Sequence, residues 1–243
     1  MTPSRRIHPS AVIGEGVQFD GDATVGPGAV LLGPLRVGNR VWIGPNAVIG
    51  TPPEIASLRQ NVAWDSDLDH HGVVIGDDVV IRELSTVHQG SHRTTTIGDG
   101  TWLLNSVYVA HDSLVGRNVT LSAGVRLGGH SVVGEHANLG MNASVHQGRI
   151  VGAGAMIGMG TPVTRDVPPF GKAYGAPIRL RGVNHHVLRH LGASPESLER
   201  LSAAYSAGDF TMTGLDGDPA LAESAEWWRA QSPSRPIRIG AEP

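Results

Sequence analysis

The chain has 243 residues with 33 glycines and 16 prolines, but only 17% of its residues are charged and 5% are aromatic. This composition is typical of many tight turns around small aliphatic side chains and indicates a repetitive fold. The formal net charge of -3 and the absence of basic clusters exclude nucleic acid or an anionic membrane as a main partner. Without cysteine there are no disulfides, thiolate metal sites or cysteine nucleophiles.

The N-terminal stretch MTPSRRIHPSAVIGEG lacks the apolar core of a signal peptide. No run of residues is apolar for long enough to span a bilayer. We therefore expect a cytoplasmic protein without a transmembrane segment.

An aliphatic residue or phenylalanine recurs at every sixth position along most of the chain. One run covers residues 7–49, a second covers 75–87 and a third covers 97–163. A meander of short strands would instead alternate with period two and have irregular turn spacing. A period of six indicates the hexapeptide β-helix, in which three hexads make one 18-residue coil of a triangular prism. We expect a mainly β fold, a left-handed parallel β-helix over residues 1–165.

Two intervals between these runs are not multiples of six, so we expect loops extruded from the prism near residues 50–74 and 88–96. The first loop holds Trp64 and the pair His70 and His71. Extruded loops on a solenoid often line sites, although a solvated or subunit-packing loop is equally consistent with this sequence.

After the last hexad, residues 166–243 are expected to form a small C-terminal helical region that covers the open end of the prism. Three segments carry helix signals. NHHVLRHLG has an apolar face and a glycine stop, SPESLERLSAAY offers Ser194 as N-cap, and DPALAESAEWWRAQS offers Asp218.

The 18-residue coil brings four histidines to one face of the prism. They are His88, His111, His130 and His146. Gly129 and Gln147 follow His111 on the next two coils, and Asp112 lies beneath His130. A single histidine is more often a surface residue than a catalytic one. A cluster with a carboxylate beside it instead indicates a general base oriented by that carboxylate.

Other site chemistries match less well. A zinc hydrase of the γ-carbonic anhydrase type uses the same prism, but its paired His-x-x-x-x-His on one strand is absent. The sequence has no Gly-x-Ser-x-Gly elbow for a serine nucleophile. The glycines of GEGVQFDG and GAGAMIG fall in turns of the repeat and do not indicate a phosphate-binding loop. We therefore predict no metal site.

Four segments and a short tail motif resemble one acyltransferase family. They are IRELSTVHQGS, NSVYVAHDSLVG, LGGHSVVGEHANLGMNASVHQ and VTRDVPPFGKAYG, followed by GVN. Together they run from about residue 75 to 192. They are similar to the UDP-N-acetylglucosamine O-acyltransferases that use acyl carrier protein thioesters and start lipid A synthesis.

The resemblance implies a homotrimer with active sites between prisms, acyl carrier protein as donor, a sugar nucleotide as acceptor and no cofactor. It implies that His111 is the general base, that Asp112 orients it and that the Gly129 backbone N–H stabilises the oxyanion. Met159 falls at the position that limits acyl length in the family, and methionine there goes with shorter chains than glycine. A medium-length, 3-hydroxylated acyl chain is the expected donor group.

The chain departs from the family at the acceptor end. Tyr108 replaces a histidine, His186 replaces a glutamate, and His190 and Leu191 replace two arginines that hold phosphates. Leucine cannot pair with phosphate, and histidine is mostly neutral at pH 7. We expect retained chemistry and a rebuilt acceptor site. The predicted substrate-binding residues are His88, Tyr108, His130, His146, Gln147, Met159, Asn184, His186 and His190.

Two other functions stay open, with a zinc hydrase as a remote third. An acetyl-coenzyme A dependent transferase on the same prism would differ in its donor. A hexapeptide scaffold without catalysis would show no turnover and no response to His111→Ala. A zinc hydrase would carry metal when purified.

Overall fold

The structure is a computed structural model, and it describes residues 4–58, 60 and 70–240. This part of the chain contains 25 strands and three helices. Trp64 lies outside the described residues.

Twenty-three short strands follow the hexad repeat. In chain order they are β1 (Arg5–Ile7), β2 (Val12–Ile13), β3 (Val17–Phe19), β4 (Ala23–Val25), β5 (Val30–Leu31), β6 (Leu35–Val37), β7 (Val41–Ile43), β8 (Val48–Thr51), β9 (Val73–Ile75), β10 (Val80–Ile81), β11 (Thr86–His88) and β12 (Thr95–Ile97). They continue with β13 (Trp102–Leu103), β14 (Tyr108–Val109), β15 (Leu114–Val115), β16 (Thr120–Leu121), β17 (Arg126–Leu127), β18 (Val132–Val133), β19 (Asn138–Leu139), β20 (Ser144–Val145), β21 (Ile150–Val151), β22 (Met156–Ile157) and β23 (Pro162–Val163).

These strands form three parallel sheets around one prism. Each sheet takes every third strand: the first begins with β1 and β4, the second with β2 and β5, and the third with β3 and β6. Along the second sheet Val109 lies beside Leu127, and Leu127 lies beside Val145. Residues 18 apart in sequence are therefore neighbours, and the predicted parallel β-helix is confirmed.

The aliphatic residue of each hexad points into the prism. From Val25 to Val163 every residue at this sixth position is buried, whereas Ile7 and Ile13 at the open first coil are each 37% exposed. Full burial of such a side chain stabilises the fold by about 1.5–3 kcal/mol. The row of aliphatic side chains therefore fixes the register in which the outward-facing residues stack.

The hexad strands are interrupted twice along the chain. Residues 52–72 separate β8 from β9, yet Ile75 still pairs with Val37 on the coil below. Residues 89–94 separate β11 from β12, and Ile97 pairs with Ile75. Because the register resumes after each insertion, neither insertion breaks the stack.

Two strands lie between the last hexad and the tail helices. Strand β24 (Gly171–Tyr174) pairs in parallel with β22, and β25 (Arg179–Val183) runs antiparallel to β24. The expectation of a helical region from residue 166 did not include these strands. They continue the first sheet past its last coil, whose backbone groups would otherwise be left unpaired at an open edge.

The three predicted helices are present. They are α1 (His185–His190), α2 (Pro195–Ser206) and α3 (Pro219–Gln231). Ser194 caps α2 and Asp218 caps α3, each accepting a hydrogen bond from a backbone N–H of the first turn.

The tail covers the end of the prism and shares its core. The buried Tyr205 hydroxyl of α2 donates to the carbonyl oxygen of Pro169 at 2.6 Å. Leu188 of α1 and Trp228 of α3 are also buried in the same apolar cluster. Across the described ranges, none of the helices has the length and apolar character needed to cross a membrane.

Candidate active site

The central pair of the site, His111 and Asp112, occupies the prism corner between β14 and β15. Asp112 has a φ of 60°, a left-handed conformation that aspartate tolerates better than most residues. His111 Nδ1 lies 2.6 Å from Asp112 Oδ2, and both residues are buried. The carboxylate only accepts, so Nδ1 carries the proton and Nε2 is left as the basic nitrogen of the neutral ring.

The Asp112 carboxylate is surrounded by donors. Its Oδ1 accepts from the backbone N–H groups of Ser91, His92 and Arg93 at 3.0, 2.7 and 2.8 Å. Its Oδ2 accepts from the Ser91 hydroxyl at 2.7 Å as well as from His111. Burial favours the protonated form, but these hydrogen bonds outweigh it and hold the pKa of Asp112 well below its usual range. Asp112 is therefore ionised at neutral pH.

His130 stands on the coil above, directly over this pair. Its ring meets that of His111 edge to face, with centroids 5.0 Å apart, and its Nε2 lies 3.6 Å from Asp112 Oδ2. Burial lowers the pKa of His130; Asp112 opposes that shift, and His111 adds to it. A neutral imidazole here can donate to or accept from a bound substrate without adding charge.

Gly129 lies against the imidazole of His111. A Cβ atom at this position would come within 2.5 Å of both Cε1 and Nε2 of His111. The backbone N–H groups on either side of Gly129, those of Gly128 and His130, donate to carbonyl oxygens of the adjacent coils. The Gly129 N–H itself has no acceptor among the described residues. The corner therefore offers an unpaired backbone donor and an open space beside the basic nitrogen.

A second cluster lies on the outer face of the same coil. The Tyr108 hydroxyl donates to Glu54 Oε1 at 2.6 Å, and His88 packs edge to face on Tyr108. His88 Nδ1 lies 3.3 Å from the other oxygen of Glu54. Burial raises the pKa of Tyr108, and Glu54 raises it further. Tyr108 is therefore a neutral donor whose proton is directed at the first extruded loop.

The remaining predicted residues lie above these clusters or in the tail. His146, Gln147 and Met159 are exposed on the upper coils. Asn184 is buried, and its side-chain amide donates to the Gly154 carbonyl at 2.9 Å. His186 and His190 of α1 are exposed. Over the described ranges no hydrogen bond or ring contact joins these tail residues to His111 within one chain.

Among the residues that the structure describes, one triad of side chains has metal-ligand geometry. His92, Asp112 and His130 each bring one ligand atom within 4.8 Å of the others. A metal ion would need a lone pair of Asp112 Oδ2, which already accepts from His111 and Ser91. Binding would have to displace one of these donors, so the residues fit a metal poorly.

The sequence did not single out the residues that surround the pair. Ser91, His92 and Arg93 come from the second extruded loop, and Glu54 comes from the first. The only signal was the broken interval of the repeat, which located the loops but not their contacts.

Comparison with known proteins identifies related sequences along most of the chain. Residues 166–226 match the second domain of the UDP-N-acetylglucosamine O-acyltransferase family. Residues 94–129 match the six-repeat hexapeptide of bacterial transferases, and residues 131–165 match the hexapeptide repeat of succinyl-transferase.

Whole-chain relatives agree with these family matches. The chain is 34% identical over 215 residues to an acyl-(acyl-carrier-protein)-UDP-N-acetylglucosamine O-acyltransferase of Paraburkholderia xenovorans, covering 82% of this chain and 81% of that one. It is 33% identical over 236 residues to the protein of the same name from Burkholderia vietnamiensis, covering 91% of this chain and 88% of that one. The solved UDP-N-acetylglucosamine acyltransferase of Bacteroides fragilis is 27% identical and superposes with a TM-score of 0.76 over 98% of this chain and 99% of that one.

Proposed function

The chain belongs to the acyl-(acyl-carrier-protein)-UDP-N-acetylglucosamine O-acyltransferase family, and on this basis we propose that it transfers an acyl chain from acyl carrier protein to a sugar nucleotide. The acceptor is UDP-N-acetylglucosamine or a related sugar nucleotide, and the acyl chain is of medium length and 3-hydroxylated. The reaction needs no cofactor, because the thioester is already activated.

One observation carries this proposal: a buried histidine is held by an ionised carboxylate directly under a glycine. His111 Nε2 removes the proton from the sugar hydroxyl as that oxygen attacks the thioester carbonyl. The Gly129 N–H donates to the oxyanion that forms on the carbonyl oxygen. When the intermediate collapses, the C–S bond breaks and His111 returns its proton to the departing thiolate. Asp112 stabilises the imidazolium between these two steps.

Substrate contacts follow from the coils around this centre. His130, His146 and Gln147 stack near His111 and are proposed to contact the sugar and the carrier arm. Tyr108 and His88 flank the same face, and both contact Glu54 of the first extruded loop.

The nucleotide is proposed to reach the tail residues. Asn184, His186 and His190 would meet it, with His190 standing where the family has a phosphate-binding arginine. A neutral histidine binds phosphate more weakly than arginine does. Nucleotide affinity should therefore be lower than in relatives that keep the arginines.

We also propose a homotrimer in which neighbouring prisms share each active site. Large apolar side chains are exposed on the prism surface, including Trp102 at 46%, Met141 at 49% and Met159 at 70%. Exposure of such apolar side chains favours their burial against a second copy. Sedimentation analysis should give three times the chain mass, whereas a monomer would contradict this arrangement. The proposed location is the cytoplasm.

Met159 is proposed to set the length of the acyl chain. It projects from the corner between β22 and β23, one coil above Met141. Met159→Gly should move the preferred donor towards longer chains, because each additional buried methylene contributes about 0.8 kcal/mol. Rates measured with acyl carrier protein thioesters of increasing length would test this, and Met141→Gly serves as the neighbouring control. An unchanged chain-length optimum in Met159→Gly would contradict the assignment.

The proposed function is tested by donor and acceptor panels. Acyl carrier protein thioesters and matching acyl-coenzyme A esters are offered separately with UDP-N-acetylglucosamine, and the products are identified by mass spectrometry. Transfer from the carrier protein supports the proposal, and transfer from coenzyme A alone would support the alternative donor. If neither donor is consumed with any sugar nucleotide, the result would support a hexapeptide scaffold without catalysis.

Metal removal distinguishes the proposed reaction from zinc-dependent hydration. Dialysis against EDTA should leave transfer activity unchanged, because the proposed steps use His111, Asp112 and the Gly129 amide alone. Metal analysis of the purified protein provides the matching control. Loss of transfer after dialysis, with recovery on adding zinc, would contradict this mechanism.

A further inference from the structure

We propose that residues 90–95, here called the clamp segment, hold Asp112 in place and that Ser91 is a positioning residue for acyl transfer. This inference rests on the proposed function. The clamp segment comes from the second extruded loop and from the start of β12, so the interruption of the repeat would supply the catalytic pair with its support.

The clamp segment holds the backbone of Asp112 as well as the Asp112 side chain. Arg93 Nε donates to the Asp112 carbonyl oxygen at 2.7 Å. The Asp112 backbone N–H donates to Thr95 Oγ1 at 2.9 Å. Together with the three amide donors to Oδ1, these bonds leave the left-handed Asp112 with one backbone position and one carboxylate orientation.

Gly90 makes this close wrapping possible. A Cβ atom on Gly90 would overlap the carbonyl oxygen of Arg93 and would lie 3.2 Å from Asp112 Oδ1. No other residue type can occupy this position without moving the turn that directs the amides at the carboxylate. The turn and the carboxylate are therefore fitted to each other.

Ser91 has the most specific role, because its hydroxyl binds the same carboxylate oxygen of Asp112 that His111 binds. Its Oγ lies 2.7 Å from Asp112 Oδ2 and 2.7 Å from His92 Nδ1. A hydroxyl has one proton, and an ionised carboxylate can only accept. Ser91 therefore donates to Asp112 and accepts from His92 Nδ1–H. The result is a chain of hydrogen bonds from His92 through Ser91 to Asp112, which His111 joins from the other side.

The Ser91 hydroxyl helps to fix the direction in which the His111 imidazole points. Oδ1 is fixed by three amides, so the position of Oδ2 decides where the Nδ1–H of His111 points. Without the Ser91 hydroxyl, His111 alone holds Oδ2, and the imidazole loses part of its fixed direction. Loss of a supporting hydrogen bond behind a reacting group typically lowers activity about tenfold to hundredfold.

The test compares Ser91→Ala with Ser91→Thr, which keeps the hydroxyl, and with Thr94→Ala as a matched control. Thr94 lies in the same segment, but its hydroxyl donates to the His71 carbonyl rather than to Asp112. For each variant, kcat and KM are measured with acyl carrier protein thioester and UDP-N-acetylglucosamine. The His111 Nδ1 proton is followed by NMR, using His111→Asn to assign it.

Ser91→Ala should lower kcat at least about tenfold with KM within about twofold, and should shift or broaden the His111 Nδ1 proton signal. Ser91→Thr should restore both, and Thr94→Ala should resemble the unaltered protein. If Ser91→Ala does not fold, Ser91→Cys keeps the shape with a weaker donor and should give the same direction of change.

Two outcomes would overturn the inference. One is a Ser91→Ala protein with an unchanged kcat and an unchanged proton signal. The other is a Ser91→Thr protein that is as impaired as Ser91→Ala. The NMR signal does not depend on substrate, so it tests the clamp segment even if the unaltered protein fails to acylate UDP-N-acetylglucosamine and the proposed function fails.

Discussion

His111→Ala is expected to lower kcat about a thousandfold, because it removes the group that we propose takes the proton from the attacking hydroxyl. The substitution should leave the fold intact. His111 lies outside the aliphatic row, and its main contact is the hydrogen bond to Asp112. Loss of that partner is expected to lower the free energy of unfolding by about 1–3 kcal/mol. Steady-state kinetics and thermal melting would be measured on the same preparations.

His111→Asn is the matched control for this experiment. An asparagine amide can still donate to Asp112, but it has no nitrogen that can accept the proton of the sugar hydroxyl. It should therefore recover the stability that alanine loses without recovering kcat. Near-normal turnover in either variant would remove His111 from the role of base.

Gly129→Ala is expected to lower kcat about a hundredfold although its backbone amide is kept. The new methyl group would fall 2.5 Å from Nε2 of His111 and would displace the imidazole from its aligned position. It would also occupy the space proposed for the thioester. The same corner carries His111 one coil below and Gln147 one coil above, so the backbone conformation itself accepts side chains.

A double variant separates the two causes of this loss. In a His111→Ala background the methyl group of Gly129→Ala has no ring to collide with, so any destabilisation by Gly129→Ala should largely disappear. Melting temperatures of the four proteins would measure this coupling. Equal destabilisation by Gly129→Ala in both backgrounds would show that the ring is not the obstacle.

The sequence was informative where the repeat is regular. The sixth-position aliphatic residues determine the register, and the register alone predicts that His111, Gly129 and Gln147 stack on successive coils. The helix caps Ser194 and Asp218 were also predictable, since capping depends on a side chain and the backbone amides of the next turn.

The sequence was less informative where the chain leaves the repeat. An insertion breaks the 18-residue relation, so nothing in the spacing indicates that Ser91 returns to Asp112 or that Glu54 returns to Tyr108. Strands β24 and β25 were missed for a related reason. They form because the last coil presents an open edge, and that is a property of the assembled sheet rather than of their own residues.

The most direct test of the central claim is a crystal structure with UDP-N-acetylglucosamine bound. We expect a sugar hydroxyl to lie about 2.6–3.2 Å from His111 Nε2, on the side that faces Gly129. The Asp112 carboxylate should keep its contact with His111 Nδ1. A sugar bound elsewhere on the prism, with no hydroxyl able to reach His111, would contradict the proposed reaction.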